Sequence, residues 1–321
     1  MKHLLSIAAL ERAEIEAILE RAESFAEVGR RDIKKVPTLR GRTVLNLFYE
    51  SSTRTSSSFE LAAKRLSADV VAIRAAGSSV DKGESLKDTI ATLSAYDPAA
   101  IVIRHPAAGA AELVARWTEA AVINAGDGKH EHPSQALLDL FTLRSRLGSS
   151  LEGTRIWIVG DVLHSRVARS NVIAFQTLGA EVTVCGPPTL IPRGFEELGC
   201  GIAYDLDGLE EADVVYALRM QRERMRGSYL PSLREYAARY QIDSRRLGPR
   251  QLLMHPGPIN RGVELAPEVI DSANSLITAQ VESGLVVRMA ILYELLAGAP
   301  ERPRDARMSE MPEPPTIGQP A

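Results

Sequence analysis

Short apolar runs alternate with stretches of helical periodicity along most of this 321-residue chain. In the first half, residues 43–49 indicate a buried strand, and Phe59, Ala62, Ala63 and Leu66 then recur at helical spacing. Strands and helices that alternate in this way are typical of a parallel sheet with helices on both faces. The pattern therefore predicts an α/β fold.

The alternation stops near the middle of the chain and then starts again. Gly148 and the two serines after it mark a boundary, and a chain of this length favours two domains that each bury a core. We predict two doubly wound domains, each a parallel sheet flanked by helices, over residues 1–148 and 149–283. Further strands are predicted at 70–73, 101–104, 122–124, 155–159, 182–185, 213–218 and 252–254. Further helices are predicted at 86–96, 110–117, 133–147 and 285–296, and another follows the turn at 160–161 and ends at about residue 178.

Composition excludes several classes of protein. A hydrophobic share of 45%, a charged share of 25% and a net charge of −3 are typical of an ordinary globular protein, and they favour neither nucleic-acid binding nor a membrane span. The first twenty residues suit an amphipathic helix and not a signal peptide. The only cysteines, Cys185 and Cys200, lack zinc-site spacing and indicate a reduced, cytoplasmic setting. Residues 299–321, rich in proline and charge, predict a flexible tail.

One segment combines hydroxyls and a guanidinium at a strand-to-helix junction. Ser52, Thr53, Arg54 and Thr55 follow the first predicted strand, where a helix N-terminus presents free N–H groups and a partial positive charge. Arginine adds a planar fork that matches phosphate oxygens. The segment predicts an anion site, although on its own it is also compatible with a serine-rich helix cap beside one solvated arginine. The glycine-rich signatures for ATP and NAD are absent from the sequence.

Three motifs together resemble a known family. Ser-Thr-Arg-Thr at 52–55, Arg-His-Pro at 104–106 and His-Pro-Ser-Gln at 132–135 stand in the order and spacing of aspartate and ornithine carbamoyltransferases. The resemblance covers about residues 48–296. It implies a first domain that binds carbamoyl phosphate, a second that binds the amino-acid acceptor, and a C-terminal helix, 284–298, that packs back on the first domain.

The resemblance also implies roles for individual side chains. Attack of an amine on carbamoyl phosphate places negative charge on the carbonyl oxygen, which then needs fixed donors. Thr55, Arg104 and His132 are expected to aim at that oxygen, and Arg54 at the phosphate. The carbamoyl nitrogen is expected to be held by the Gln135 side chain and by the backbone carbonyls of Pro256 and Gly257. No side chain is a compelling general base, so the leaving phosphate is expected to take the amine proton.

The second half indicates the acceptor. By resemblance, Arg166, Arg219 and Gln221 occupy the positions that hold the two carboxylates of the substrate in the aspartate enzymes. The run at 255–262 is similar to that of bacterial aspartate enzymes, whereas ornithine enzymes have cysteine in place of Pro256. Four nearby arginines lack such support and are expected to be solvated: Arg169, Arg222, Arg224 and Arg226.

A glycine- and serine-rich stretch at 77–85 resembles the lysine loop of the family. By that resemblance, Ser78 and Lys82 reach the active site of a neighbouring subunit, where Lys82 takes part in catalysis and aspartate binding. Ser79 matches the family serine as well as Ser78 does. The resemblance implies a homotrimer with shared active sites, and it leaves open whether regulatory or dihydroorotase-like chains bind to it.

These expectations describe an enzyme that carbamoylates the α-amine of L-aspartate, an early step of pyrimidine biosynthesis. They require no cofactor, and His130 and His132 have no third neighbour for a metal site. One rival is a carbamoyltransferase for another acceptor, such as ornithine or an acylated relative. Another is a non-catalytic family member that binds metabolites or scaffolds an assembly.

Overall fold

A computed structural model describes residues 1–74, 83–225, 227 and 229–297. The predicted subunit-bridging residues Ser78, Ser79 and Lys82 lie outside the described residues. The predicted tail at 299–321 also lies outside them. Within the described residues, no helix is both long enough and apolar enough to cross a membrane.

The first half forms a four-stranded parallel sheet. Its strands are β1 (Thr43–Phe48), β2 (Asp69–Arg74), β3 (Ala100–His105) and β4 (Ala121–Asp127), in the spatial order β2-β1-β3-β4. The helices are α1 (Arg12–Gly29), α2 (Thr53–Arg65), α3 (Leu86–Ser94), α4 (Ala110–Trp117) and α5 (Pro133–Leu147). Strand β1 is central and almost wholly buried, as its apolar run predicts.

The second half forms a five-stranded parallel sheet. Its strands are β5 (Arg155–Val159), β6 (Glu181–Cys185), β7 (Gly201–Ala203), β8 (Val214–Ala217) and β9 (Leu252–Met254), in the order β7-β6-β5-β8-β9. Its helices are α6 (Arg166–Thr177), α7 (Leu233–Tyr240) and α8 (Pro267–Ile270). Two parallel sheets flanked by helices confirm the predicted α/β class.

The last helix, α9 (Ile277–Leu296), packs against α1, α2 and α5 of the first half. Its contacts include Phe25 edge-on to Tyr293, with the ring centroids 5.7 Å apart, and the Arg21 guanidinium 4.4 Å from the same tyrosine ring. The return of the C-terminal helix to the first half is thereby confirmed. The helix begins at Ile277, before the predicted start at residue 285. The prediction missed its first two turns because they carry few apolar side chains.

The N-terminus differs from the expectation of a helix that starts at once. Leu4 donates its backbone N–H to Val122 O at 2.8 Å, so the first residues extend along the edge of β4. Helix α1 begins only after Glu11, which forms a capping box with Glu14. Edge strands offer unpaired backbone groups, and here the chain terminus satisfies them.

Candidate active site

A cleft of about 1100 Å³ lies between the carboxyl ends of the strands of both sheets. It brings together every described residue to which sequence analysis assigned a role. Its lining includes Ser52, Thr53, Arg54, Thr55, Arg104, His132, Gln135, Arg166, Arg219, Gln221, Pro256 and Gly257.

The start of helix α2 forms one end of the cleft. Ser52 is the N-cap residue, but its side chain accepts no hydrogen bond from the helix. Its Oγ instead accepts a hydrogen bond from Arg104 Nη1 at 3.1 Å. The N–H groups of the first turn, which have no partners within a helix, therefore keep their hydrogen-bonding capacity. This geometry favours an anion site over a self-satisfied serine cap.

Arg54 lies against the turn at the opposite wall of the cleft. Gly257 has a φ of +63°, and a Cβ atom built at this position would lie 2.5 Å from Arg54 Nη1. The absence of a side chain at 257 therefore lets the guanidinium approach the backbone closely. The Arg54 guanidinium therefore lies close to the 255–257 turn, while its backbone belongs to the first turn of α2.

Glu50 binds three arginines at the floor of the cleft. Its carboxylate pairs with Arg166, lies 3.3 Å from Arg104 Nε and accepts from Arg224 Nη2 at 3.1 Å. Burial opposes its ionisation, but the attraction of Arg166, Arg224 and Arg104 is stronger and holds the pKa of Glu50 below its ordinary value. Burial and the neighbouring Arg166 lower the pKa of Arg104 to about 9.

His132 is a buried, neutral donor candidate at the start of α5. Burial, followed by repulsion from Arg104, Arg166 and Arg288, holds its pKa well below the ordinary histidine range. Its Nδ1 lies 3.4 Å from Ser134 Oγ, and its backbone N–H donates to Ser170 Oγ at 2.8 Å. A fixed neutral imidazole can donate one N–H to an oxygen that develops negative charge.

Gln135 lies one turn along α5, and a buried carboxylate sets its orientation. Its Nε2 donates to Asp139 Oδ1 at 3.0 Å. Because an ionised carboxylate only accepts hydrogen bonds, the amide carbonyl of Gln135 is turned away from Asp139. Asp139 also accepts hydrogen bonds from Asn171 and Tyr216 of the second half and from Gln280 of α9.

The predicted acceptor-binding residues line the same cleft as the start of α2. Arg166 is only 4% exposed and pairs with Glu50, while Arg219 pairs with Glu223 four residues along. The backbone N–H of Gln221 donates to Asp161 Oδ2 at 3.1 Å, which fixes the start of this loop. Two guanidinium groups thus line one cleft, and guanidinium groups suit carboxylates.

The family models match almost the whole chain. Residues 2–145 match the carbamoyl-phosphate-binding domain of aspartate/ornithine carbamoyltransferases, and residues 152–295 match their aspartate/ornithine-binding domain. The chain belongs to the aspartate/ornithine carbamoyltransferase family.

Two of the relatives that are similar to this chain are both named aspartate carbamoyltransferase catalytic subunit. The chain is 57% identical over 307 residues to the aspartate carbamoyltransferase catalytic subunit of Thermobifida fusca, covering 94% of this chain and 98% of that one. It is 57% identical over 302 residues to the subunit of the same name from Acidothermus cellulolyticus, covering 93% of each chain.

Solved structures of the family share the fold. Aspartate transcarbamoylase from Trypanosoma cruzi in complex with carbamoyl phosphate matches with a TM-score of 0.85 and 32% identity, over 92% of this chain and 96% of that one. The catalytic subunit of M. jannaschii aspartate transcarbamoylase matches with a TM-score of 0.81 and 36% identity, over 92% and 98% of the two chains.

The carbamoyltransferase cleft also contains residues that sequence analysis missed. Glu50 received no role there, although it directly precedes the Ser-Thr-Arg-Thr motif. Arg224 was expected to be solvated, and that expectation is wrong: its side chain is mostly buried and donates to Glu50, Gly128 O and His164 O. A single sequence does not show which arginine of a cluster faces inward, because that depends on a carboxylate from the other half.

Arg288 of α9 is a third missed residue. It lines the cleft, is 4% exposed and lies over the Phe59 ring at 5.2 Å. Burial lowers its pKa to about 10. Within residues 1–74, 83–225, 227 and 229–297, no cluster of three or more metal-binding side chains occurs.

Proposed function

We propose that this chain transfers the carbamoyl group of carbamoyl phosphate to the α-amine of L-aspartate, giving N-carbamoyl-L-aspartate and phosphate. One observation carries the proposal. The uncapped start of α2 and Arg54 line the same cleft as Arg166 and Arg219, so that a helix N-terminus suited to phosphate and two guanidinium groups suited to carboxylates lie in one cavity. The names of the relatives agree with this assignment.

The phosphate end is the leaving-group site. The first N–H groups of α2, the hydroxyls of Ser52, Thr53 and Thr55, and the Arg54 fork would bind the phosphate oxygens. Charge that develops on the leaving phosphate is thereby stabilised by donors that are already in place. The departing dianion is the proposed acceptor of the amine proton.

The carbonyl oxygen is proposed to lie among Thr55, Arg104 and His132. Arg104 is held by Glu50 and Ser52, and His132 is buried and neutral, so these donors need little rearrangement during reaction. The Gln135 amide carbonyl and the carbonyls of Pro256 and Gly257 would accept hydrogen bonds from the carbamoyl nitrogen. Catalysis then rests on proximity and electrostatics without a covalent enzyme intermediate.

We further propose that residues 1–148 with the returning segment 284–298, and residues 149–283, are two domains that close on the substrates. Carbamoyl phosphate would bind first and aspartate second. Glu50 of the first half already pairs with Arg166 and Arg224 of the second, so one carboxylate links both sides of the cleft. These pairs would hold the amine close to the carbonyl carbon.

The quaternary proposal follows the family resemblance. A homotrimer would let Ser78 and Lys82 of each subunit complete the neighbouring cleft, with Lys82 binding aspartate. The cellular proposal is a role in pyrimidine synthesis in the cytoplasm, and both cysteines are free and buried, which suits a reducing compartment.

Phosphate release from carbamoyl phosphate tests the function. We expect release to depend on L-aspartate and to remain at background with L-ornithine or with no acceptor. Arg54→Ala should lower turnover by about 10²–10³-fold, as loss of a transition-state donor does. Lys64→Ala, on the exposed face of the same helix, should retain normal turnover. Release that needs ornithine, or no acceptor at all, would contradict the proposal.

A further inference from the structure

The 255–257 turn is held by its own histidine. His255 is buried, and its Nδ1 accepts a hydrogen bond from Gly257 N at 2.8 Å. A ring nitrogen that accepts a hydrogen bond carries no proton, so the proton of the neutral ring resides on Nε2. Nε2 lies 3.3 Å from Glu264 Oε1. Burial lowers the pKa of His255. A lowered pKa favours the neutral ring, which the hydrogen bond from Gly257 N–H to Nδ1 requires.

The backbone before the ring is fixed as well. His255 N donates to Gln280 Oε1 at 3.0 Å, and Gln280 Nε2 donates to Asp139 Oδ1 at 2.7 Å. Because the Asp139 carboxylate can only accept, the Gln280 amide has one permitted orientation, with its oxygen toward His255. Helix α9 and helix α5 thereby set the position at which the turn starts.

The contact between Gly257 N–H and the His255 ring also fixes the direction of the Pro256 carbonyl. Gly257 N–H and the Pro256 carbonyl belong to one peptide unit, in which the N–H and C=O bonds point in opposite directions. Since the N–H points at the His255 ring, the Pro256 carbonyl points away from it. Among the described residues, no donor binds the carbonyl oxygen of Pro256 or of Gly257, and both residues line the cleft.

We propose that His255 is a positioning residue, whose Nδ1 holds the Gly257 N–H so that the Pro256 carbonyl faces the carbamoyl amine. The inference rests on the proposed function, because it assigns that carbonyl to the nitrogen of carbamoyl phosphate. It predicts that the geometry of the acceptor atom Nδ1, and not the bulk of the ring, determines affinity for the carbamoyl end.

Asparagine and glutamine at 255 separate the two ring nitrogens. An asparagine carbonyl oxygen occupies the place of Nδ1 and can accept from the N–H two residues on, as in an Asx-turn. A glutamine amide instead reaches the place of Nε2 and loses the contact with Gly257. His255→Asn should therefore keep the KM for carbamoyl phosphate within about threefold of wild type, whereas His255→Gln should raise it about tenfold or more, the effect of one lost hydrogen bond.

Inorganic phosphate is the control ligand, since it has no amine. Its inhibition constant against carbamoyl phosphate should stay within about threefold of wild type in both variants, because the α2 site is intact. Equal effects of both substitutions on KM, or a normal KM for His255→Gln, would overturn the inference. An equal loss of phosphate affinity would also overturn it, by indicating a general structural role. Failure of the function itself would appear separately, as wild type that does not turn over with aspartate.

A measurement on the wild type covers the case in which a variant does not fold. In protein labelled with ¹⁵N-histidine, His255 should give the signature of a neutral ring protonated at Nε2, with Nδ1 unprotonated across neutral pH. His255→Asn identifies that signal by its absence. A ring protonated at Nδ1 would overturn the proposal, because it would have no lone pair there for the Gly257 N–H.

Discussion

Arg104 Nη1 donates to Ser52 Oγ at 3.1 Å, so strand β3 holds the residue that begins helix α2. The same guanidinium places Nε 3.3 Å from Glu50. A side chain with two separate donors is needed to make both contacts, and arginine provides them in a rigid fork.

Replacing Arg104 with lysine should therefore impair the carbamoyl-phosphate half of the site. A single ammonium does not reproduce the two-sided contact, and we expect kcat/KM for carbamoyl phosphate to fall about 10²–10³-fold. Steady-state kinetics with varied carbamoyl phosphate measure this. Arg116→Lys, at an exposed position of α4, is the matched control. Wild-type kinetics in Arg104→Lys would show that the fork is dispensable.

Loss of the Glu50 charge should destabilise the fold near neutral pH. The pKa of Glu50 is depressed below its unfolded value of about 4.5, so its stabilising effect is present above that value and is lost as pH falls through the folded pKa. We expect Glu50→Gln to lower the free energy of unfolding at pH 7 by about 1.5–3 kcal/mol. Urea unfolding at pH 7 and pH 4 should show this difference shrinking in acid, whereas Glu60→Gln, in an exposed ion pair, should cost less than about 0.5 kcal/mol.

Asp139 should show the opposite pH dependence. Burial raises its pKa to about 6 from 3.8, despite four hydrogen-bond donors. The folded state thus binds the proton more tightly, and the contribution of Asp139 to stability is lost as pH rises from about 4 through 6. Over that pH range, the free energy of unfolding of the wild type should fall by up to about 3 kcal/mol relative to that of Asp139→Asn. Paired unfolding curves at pH 4.5 and 7 measure the change, and a difference that is constant with pH would contradict it.

His132 should act as a neutral donor throughout the working pH range. Its pKa is held well below 6.5 by burial and by Arg104, Arg166 and Arg288. Titration of His132 should therefore produce no step near pH 6.5 in the pH profile of kcat, and wild type and His132→Gln should have profiles of the same shape there. Glutamine retains an N–H donor at a similar reach, so it should lose about tenfold in kcat where His132→Ala loses about 10²-fold. His130→Gln is the control. Equal losses in both His132 variants would argue against donation.

Arg219 should determine affinity for the acceptor without affecting that for the donor substrate. Removal of one charge-assisted contact with a carboxylate should raise the KM for aspartate about 10–100-fold in Arg219→Ala. The KM for carbamoyl phosphate should stay within about threefold. Arg239→Ala, in an exposed pair with Glu235 on α7, should change neither. A parallel rise in both KM values would point to a disturbed cleft instead.

Helix α7 illustrates a signal that was present in the sequence and not used. Ser232 caps the helix by accepting from Glu235 N, and Tyr236 and Tyr240 are buried four residues apart. A serine followed three residues later by glutamate is a helix start signal. Strand β7, by contrast, has three residues of which none is buried, so no apolar run marks it. The equally short edge strand β9 buries two of its three residues and was predicted.

The sequence by itself determined the alternation of strands and helices, and with it the Ser52 to Thr55 junction at the end of a strand. Local periodicity and motif spacing suffice for that, because each strand or helix reflects its own side chains. Only the tertiary structure decided that Ser52 Oγ binds Arg104 and not its own helix, that Glu50 draws Arg224 inward, and that the His255 ring fixes the turn. These contacts join residues brought together by the pairing of β1 with β3, by the packing of the two sheets and by turn geometry, which a linear pattern does not encode.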